Sequence, residues 1–308
     1  MGLVFLFPGQ GSQYVGMGRE LAASYPEARR ALEEADEALA RPLSQLIEAG
    51  PEEELRLTWN TQPAILAVSV ACLRAIGAAA TPIACAGHSL GEYTALVAAG
   101  ALDYADALRT VEQRGRFMQE AVPVGMGSMA AVLGLSVEQL TEICDQVSGD
   151  GLSVAMANDN CPGQAVISGH VGAVDAAVAA ARSAGAKRAV PLAVSAPFHC
   201  SLMAPAGERL AAVLEGVGIN VPQVPVVANV DAEIHGDGPA IVDRLVRQVS
   251  APVLWQDCVR KLIELGGTHF VEIGPGKVLS GLMRRIDRQP ASSNVEDPAS
   301  LEALLREL

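Results

Sequence analysis

The sequence predicts an α/β protein: a large, hydrolase-like domain with a mostly parallel sheet, carrying an inserted ferredoxin-like (βαββαβ) small subdomain. Three observations predict it. Short apolar runs such as Leu3-Val4-Phe5-Leu6-Phe7 and Pro82-Ile83-Ala84-Cys85-Ala86 alternate with longer helical patterns, as expected of strands buried on both faces of a parallel sheet. A G-x-S-x-G turn, Gly87-His88-Ser89-Leu90-Gly91, joins one such strand to a helix. Between breaks at Pro123, Gly125, Gly127 and Pro197, the order changes to strand, helix, two strands, helix, strand.

In chain order, the first strand covers residues 3–7 and ends in the turn residues Pro8-Gly9-Gln10-Gly11-Ser12. Helical patterns follow at 27–39 and at 63–76, the latter opened by Pro63, a residue favoured in the first turn. The strand at 82–86 leads through the G-x-S-x-G turn to a helix at 92–99, and another helix spans 104–120. The small subdomain reads as strand 129–134, helix 137–147, strands 152–157 and 165–168, helix 171–184 and strand 188–194. The chain then gives a helix at 201–214, a strand at 224–229, and helices at 241–249 and 257–265. A strand at 268–273 runs into the turn Gly274-Pro275-Gly276, and the polar segment 288–298 is expected to be a loop before a short last helix. The expected domains are therefore 1–124 with 197–308, and 125–196.

Composition narrows the function. The 308 residues are 50% hydrophobic, 19% charged and 4% aromatic, which describes an enzyme-like core and excludes a disordered or fibrous chain. A net charge of −13 argues against a nucleic-acid or anionic-membrane partner. Six scattered cysteines without a C-x-x-C pair fit free thiols in a reducing cytoplasm. The N-terminus has no basic n-region, and its apolar run stops at Pro8, so no signal peptide is expected. The stretch 63–86 has the length of a membrane span, but Arg74, Gly77 and Pro82 interrupt it. A buried helix followed by a strand is the expectation.

The five letters of the turn recur by chance in a Gly- and Ser-rich chain; their position between a strand and a helix makes Ser89 a candidate nucleophile. The turn also aims the Leu90 N–H, at a helix N-terminus, at a developing oxyanion. A nucleophilic serine needs a base. Of the five histidines, His88 adjoins Ser89 and points away from it, His170 lies in the small subdomain, and His235 sits in a polar segment. His199 follows Ala196-Pro197-Phe198 where the chain re-enters the large domain, a natural cleft hinge. His269 begins a late strand and fits the hydrolase order Ser, acid, His, with Asp243 or Asp257 as the acid. Spacing alone leaves both open. The helix 104–120 carries Arg109, Arg114 and Arg116, side chains suited to a substrate carboxylate.

A series of motifs runs along the chain: Phe7-Pro8-Gly9-Gln10-Gly11-Ser12, Thr61-Gln62-Pro63-Ala64, Gly87-His88-Ser89-Leu90-Gly91-Glu92-Tyr93 and Gln113-Arg114-Gly115. It continues with Ala157-Asn158, Pro162-Gly163-Gln164, Pro197-Phe198-His199-Cys200, Gln248-Val249-Ser250-Ala251-Pro252-Val253 and Glu272-Ile273-Gly274-Pro275-Gly276. Taken together, these motifs resemble those of the malonyl-CoA:acyl-carrier-protein transacylases, and the resemblance covers residues 1–286.

It implies a ping-pong acyl transfer in fatty acid biosynthesis, with Ser89 as nucleophile and His199 as base. The backbone N–H groups of Gln10 and Leu90 would form the oxyanion hole, and Arg114 would grip the malonyl carboxylate. Gln62, Asn158 and Phe198 would line the pocket, Phe198 resembling members that take malonyl and not methylmalonyl. Backbone carbonyls near Asn229 and Gln248, not an acid, would orient the histidine. No metal or organic cofactor is implied; coenzyme A thioester is a substrate, and a monomer suffices. Carrier proteins are acidic and so is this chain, so docking requires a local basic patch. Lys187-Arg188 and Arg284-Arg285 are the candidates.

Overall fold

A computed structural model describes residues 2–192, 194 and 196–308. Strand β1 (Leu3–Phe7) is buried along its whole length. It pairs in parallel with β2 (Ala84–Gly87) on one side and β8 (His269–Ile273) on the other. Edge strands β7 (Val226–Val227) and β9 (Ala291–Val295) complete a parallel sheet of order β7-β2-β1-β8-β9. The wholly apolar runs of β1 and β2 are thus those of central strands covered on both faces. The connections diverge on either side of β1, and in such sheets the C-terminal strand ends at this divergence frame a crevice. Here those ends carry the 8–12 loop, the serine turn and the 274–276 turn.

Helices α1 (Arg19–Ser24), α2 (Pro26–Leu39), α3 (Leu43–Ala49) and α4 (Glu52–Leu55) lead to α5 (Thr58–Ile76). α6 (Gly91–Ala98) and α7 (Tyr104–Glu120) follow β2. α5 is buried on nearly every side and packs against α2, α6 and α7. By length and composition it could cross a membrane, but 67% of its most apolar window is buried inside the fold. Its start lies five residues before Pro63, which sits inside the helix; the structure forgoes one N–H there and keeps the earlier turn, buried from Asn60 onward.

The second sheet has order β4-β5-β3-β6 and is antiparallel throughout. It is built from β3 (Gly127–Leu133), β4 (Val154–Cys161), β5 (Gln164–His170) and β6 (Arg188–Pro191). Helices α8 (Val137–Val147) and α9 (Val171–Ser183) close over it around Leu140, Ile143, Ile167 and Val174. This is the predicted βαββαβ order. α8 starts with a Ser136/Gln139 capping box. The far end of β4 runs alongside Val253 of the rest of the chain: Asp159 N–H donates to the Val253 carbonyl and Val253 N–H to that of Ala157. That seam brings Asn158 and Asn160 to the crevice.

The remaining helices are α10 (Ala204–Leu214), α11 (Gly238–Ser250), α12 (Trp255–Glu264), α13 (Val278–Ile286) and α14 (Pro298–Glu307). Several expectations need correction. The segment expected as a loop at 288–298 holds β9, which pairs with β8 from Ala291 to Val295. Its Ser292, Ser293 and Asn294 hide the strand from an apolar pattern, and an edge strand tolerates them. The strand expected at 224–229 shrinks to two residues; Pro225 offers a carbonyl to Cys85 but has no N–H to give. The helix expected at 201–214 opens with a 3-10 turn at Ser201–Met203. β6 stops at Pro191, and residue 193 of the expected strand 188–194 lies outside the described residues. Helices α1, α3 and α4, at four to seven residues, are too short to show a period.

Leu66 is completely buried in α5. Replacing it with Ala is expected to destabilise the protein by about 2–5 kcal/mol, read as a lower urea midpoint with an unchanged m-value.

Candidate active site

Ser89 follows β2 with φ of 51°, in the left-handed region that non-glycine residues rarely adopt. Such strain costs about 1–3 kcal/mol, and the flanking glycines make it feasible. A Cβ on Gly87 would stand 1.9 Å from the Gly91 carbonyl, and one on Gly91 2.1 Å from the Phe7 carbonyl oxygen. Helix α6 therefore starts directly against strand backbone, with no space for a side chain. Two amide side chains hold the strained residue. Ser89 N–H donates to Asn229 Oδ1 at 2.6 Å, and Gln248 Nε2 donates to the Ser89 carbonyl at 3.0 Å. Asn229 Nδ2 also donates to the Gly87 carbonyl at 2.8 Å.

Ser89 Oγ lies 2.7 Å from His199 Nε2. His199 Nδ1 lies 2.9 Å from the Gln248 backbone carbonyl. A carbonyl only accepts, so the ring proton belongs on Nδ1 and Nε2 keeps a lone pair toward the serine. Burial, then the nearby Arg114 charge, push the His199 pKa down to about 3. The imidazole is therefore neutral across the physiological range.

Arg114 comes from α7 and is 1% exposed. Its Nη1 donates to Gln62 Oε1 at 2.8 Å, and its Nη2 reaches Gln248 Oε1 at 2.8 Å and Ser89 Oγ at 3.1 Å. The Tyr93 ring lies beneath the guanidinium, 5.6 Å from its carbon. Burial lowers its pKa, though arginine retains its charge in proteins. Among the described residues no carboxylate forms an ion pair with it, and its Nε has no partner. A fully buried cation thus faces a nucleophile with only neutral groups in direct contact with it.

These groups open on a cleft of about 250 Å³ between the two sheets. Gln10, Gln62, Leu90, Asn158 and Phe198 line it together with Ser89, His199 and Arg114. Among the described residues the backbone N–H groups of Gln10 and Leu90 have no protein acceptor. Gln248 and Asn229 stand behind Ser89. Among the described residues His199 Nδ1 meets the Gln248 carbonyl and not that of Asn229, whose carbonyl accepts from Leu254 N–H at 2.9 Å and whose side chain serves the serine turn. His269, the other candidate base, begins β8 at the opposite end of the strands and bonds Ser293 Oγ at 2.8 Å. Asp243 and Asp257 pair with Arg247 and Arg260. The order Ser, acid, His is therefore absent from the site.

The acyl transferase domain family matches residues 4–306. The malonyl CoA-acyl carrier protein transacylase of Bacillus subtilis is 50% identical over 307 residues, 99% of this chain and 97% of that protein. That of Escherichia coli K12 is 50% identical over 303 residues, 98% of each. A Vibrio cholerae acyl carrier protein S-malonyltransferase superposes with a TM-score of 0.96 at 45% identity, over 99% of this chain and all of that one. A malonyl-transacylase solved in complex with a type II PKS acyl-carrier protein gives 0.98 at 47% identity over the full length of both. The chain belongs to the malonyl-CoA:acyl carrier protein transacylase family.

The basic candidates differ in their relation to the transacylase cleft. Lys187 and Arg188 are exposed where β6 begins, and neither lines it. Arg284 and Arg285 are exposed on α13, the helix that supplies Val278, Leu279 and Leu282 to the cleft. Arg285 Nη1 donates to Gln164 Oε1, another cleft residue. Sequence reasoning missed the roles of three groups, the half-buried His88 and the buried His235 and Glu92. His88 bonds Asn160 Oδ1 at 2.9 Å and stacks at a tilt on Trp255. His235, expected in a polar segment, is buried with its Nε2 2.8 Å from Glu92 Oε1, both side chains 0% exposed. Glu92 lies one turn after Ser89, and its spacing within the Gly-His-Ser-Leu-Gly-Glu run was the only available signal.

The depressed His199 pKa predicts a flat pH response. A histidine with the usual pKa of about 6.5 would lose roughly 30-fold of its free base by pH 5. Labelling of Ser89 by an acyl thioester, followed by intact mass, is expected to vary less than threefold between pH 5 and 8.

Proposed function

We propose that this chain transfers a malonyl group from malonyl-CoA to the phosphopantetheine thiol of an acyl carrier protein, in fatty acid biosynthesis, through a malonyl-Ser89 intermediate. The observation that carries the reading is Arg114: a buried guanidinium, 3.1 Å from Ser89 Oγ, with no ion-pair partner among the described residues. A substrate carboxylate supplies the missing charge, whereas an acetyl group leaves the cation buried and unpaired. The names of the relatives support the same reaction.

Ser89 Oγ attacks the thioester carbonyl while His199 Nε2 takes its proton. The N–H groups of Gln10 and Leu90 stabilise the oxyanion. The tetrahedral adduct collapses to malonyl-Ser89, and coenzyme A leaves as its thiol with the proton from His199. An imidazolium with so low a pKa gives up its proton readily. In the second half-reaction His199 deprotonates the carrier thiol, which attacks the same ester carbonyl, and the proton returns to Ser89 Oγ. Orientation by the Gln248 carbonyl suffices here, since the imidazolium is short-lived. Phe198, 7% exposed at the cleft wall, limits space for a branched acyl group. A methyl is worth only about 1–3 kcal/mol, so this discrimination is weaker than that by charge.

The chain divides functionally into 1–124 with 197–308, carrying Ser89, His199 and Arg114, and 125–196, which forms the opposite cleft wall; it acts in the cytoplasm as a monomer. The carrier docks on α13: Arg284 and Arg285 form the basic patch beside the cleft on a chain of net charge −13. Lys187 and Arg188 extend that surface only for a large partner.

Brief mixing with malonyl-CoA, without carrier protein, is expected to add one malonyl mass to the parent and none to Ser89→Ala. In Arg114→Ala, malonyl labelling should fall at least about 100-fold while acetyl labelling is retained, since breaking a buried charge pair costs about 3–5 kcal/mol. Free CoA release without an adduct would identify a hydrolase instead. Arg284→Glu is expected to raise the KM for carrier protein severalfold and leave Ser89 malonylation within twofold; an unchanged KM removes α13 from the docking surface.

A further inference from the structure

The hydrogen bonds behind Ser89 converge on one side chain that the reaction does not touch. Ser89 needs partners for its own backbone because its left-handed conformation takes it out of both strand and helix. Its N–H is met by Asn229 Oδ1 and its carbonyl by Gln248 Nε2. Both of those residues rest on the Glu92 carboxylate. Glu92 Oε2 accepts from Asn229 backbone N–H at 2.9 Å and from Gln248 Nε2 at 2.8 Å. Glu92 Oε1 faces His235 Nε2 at 2.8 Å. All four residues are buried, and Asn229, Gln248 and Glu92 are 0% exposed.

We infer that Glu92, held by His235, is a positioning residue for the acyl transfer: it locks the two amides that keep Ser89 in its strained, attack-ready conformation. The carboxylate suits this task because it only accepts. Its two oxygens receive three N–H donors from three different segments: the turn after β7, the end of α11 and the loop at His235. A side chain with a donor of its own would face one of those N–H groups donor to donor. Gln248 carries the effect furthest. Its amide nitrogen is committed to Ser89 and Glu92, so its oxygen turns to Arg114, and its backbone carbonyl holds His199. Losing the Glu92 anchor therefore loosens nucleophile and base together.

His235 acts on Glu92 only. Its Nδ1 is buried without a partner, so the ring proton belongs on Nε2, toward the carboxylate. Because His235 touches neither Ser89 nor Arg114 in any hydrogen bond of the site, changing it reports on the anchor and not on substrate grip. A glutamine places its amide nitrogen about where the histidine Nε2 stands and can still donate. A leucine cannot.

This inference rests on the acyl-serine reading, and the experiment separates the two. Single-turnover malonylation of Ser89 is followed by rapid quench and intact mass across malonyl-CoA concentrations, for parent, Glu92→Gln, His235→Leu and His235→Gln, normalised to folded protein by circular dichroism. The maximal rate should fall at least 30-fold in Glu92→Gln and at least tenfold in His235→Leu. The half-saturating concentration should stay within threefold, because Arg114 still holds the carboxylate. His235→Gln should recover the maximal rate to within threefold of the parent. A purely structural role would lower the melting temperature of the variants and leave the rate per folded molecule unchanged, and that result overturns the inference. So does a half-saturating concentration that rises in step with the rate loss, or the failure of both Glu92→Gln and His235→Leu to accumulate as folded protein. A parent that forms no malonyl adduct would instead refute the acyl-serine reading itself.

Discussion

The structure depends on a close backbone approach. Helix α6 begins so near the ends of β1 and β2 that Gly87 and Gly91 have no room for a Cβ. This contact forces the chain to reverse within a few residues and leaves Ser89 at φ 51°. The turn brings the Ser89 hydroxyl and Leu90 to the cleft. Strain of this kind persists only when its surroundings over-determine it. Here Asn229 and Gln248 do so, by taking up both backbone groups of Ser89.

The same residues resolve an electrostatic difficulty. A lone guanidinium in a protein interior is costly, and its usual remedy is an adjacent carboxylate. Arg114 has amide oxygens from Gln62 and Gln248 and the face of Tyr93. The nearest buried carboxylate in this network, Glu92, is separated from it by Gln248. The cation is solvated well enough to remain in place, yet not neutralised, so its field acts on whatever enters the cleft. That field also helps to keep His199 unprotonated.

The two sheets divide the remaining work. The parallel sheet supplies rigid strand ends, where the 8–12 loop, the serine turn and α13 meet the crevice. The antiparallel sheet adds Met129, Asn158 and Val166 as the facing wall, joined through the hydrogen-bonded seam between β4 and Val253. A cleft walled on both sides limits water around a reactive ester, which any acyl transfer requires.

Much of this was legible in the sequence, because local signals carried it. The apolar run of β1, the helical pattern of α7, the βαββαβ order and the G-x-S-x-G turn each state their structure within a few residues. The long motif series named Ser89, His199 and Arg114 as one constellation. What remained hidden was encoded non-locally. β9 is polar and becomes a strand only because β8 offers it an edge. His199 and His269 were equal as isolated letters, and only the fold puts one 2.7 Å from Ser89 and the other at the far end of β8. Asn229 meets the serine turn through its side chain, a contact that chain spacing does not reveal. Glu92 and His235 lie 143 positions apart, and no periodicity relates them. The sequence by itself determined which chemical groups are present and the local turns that display them. The tertiary structure decided which groups meet, because hydrogen-bond partnership and burial depend on distances of a few ångströms that chain spacing does not constrain.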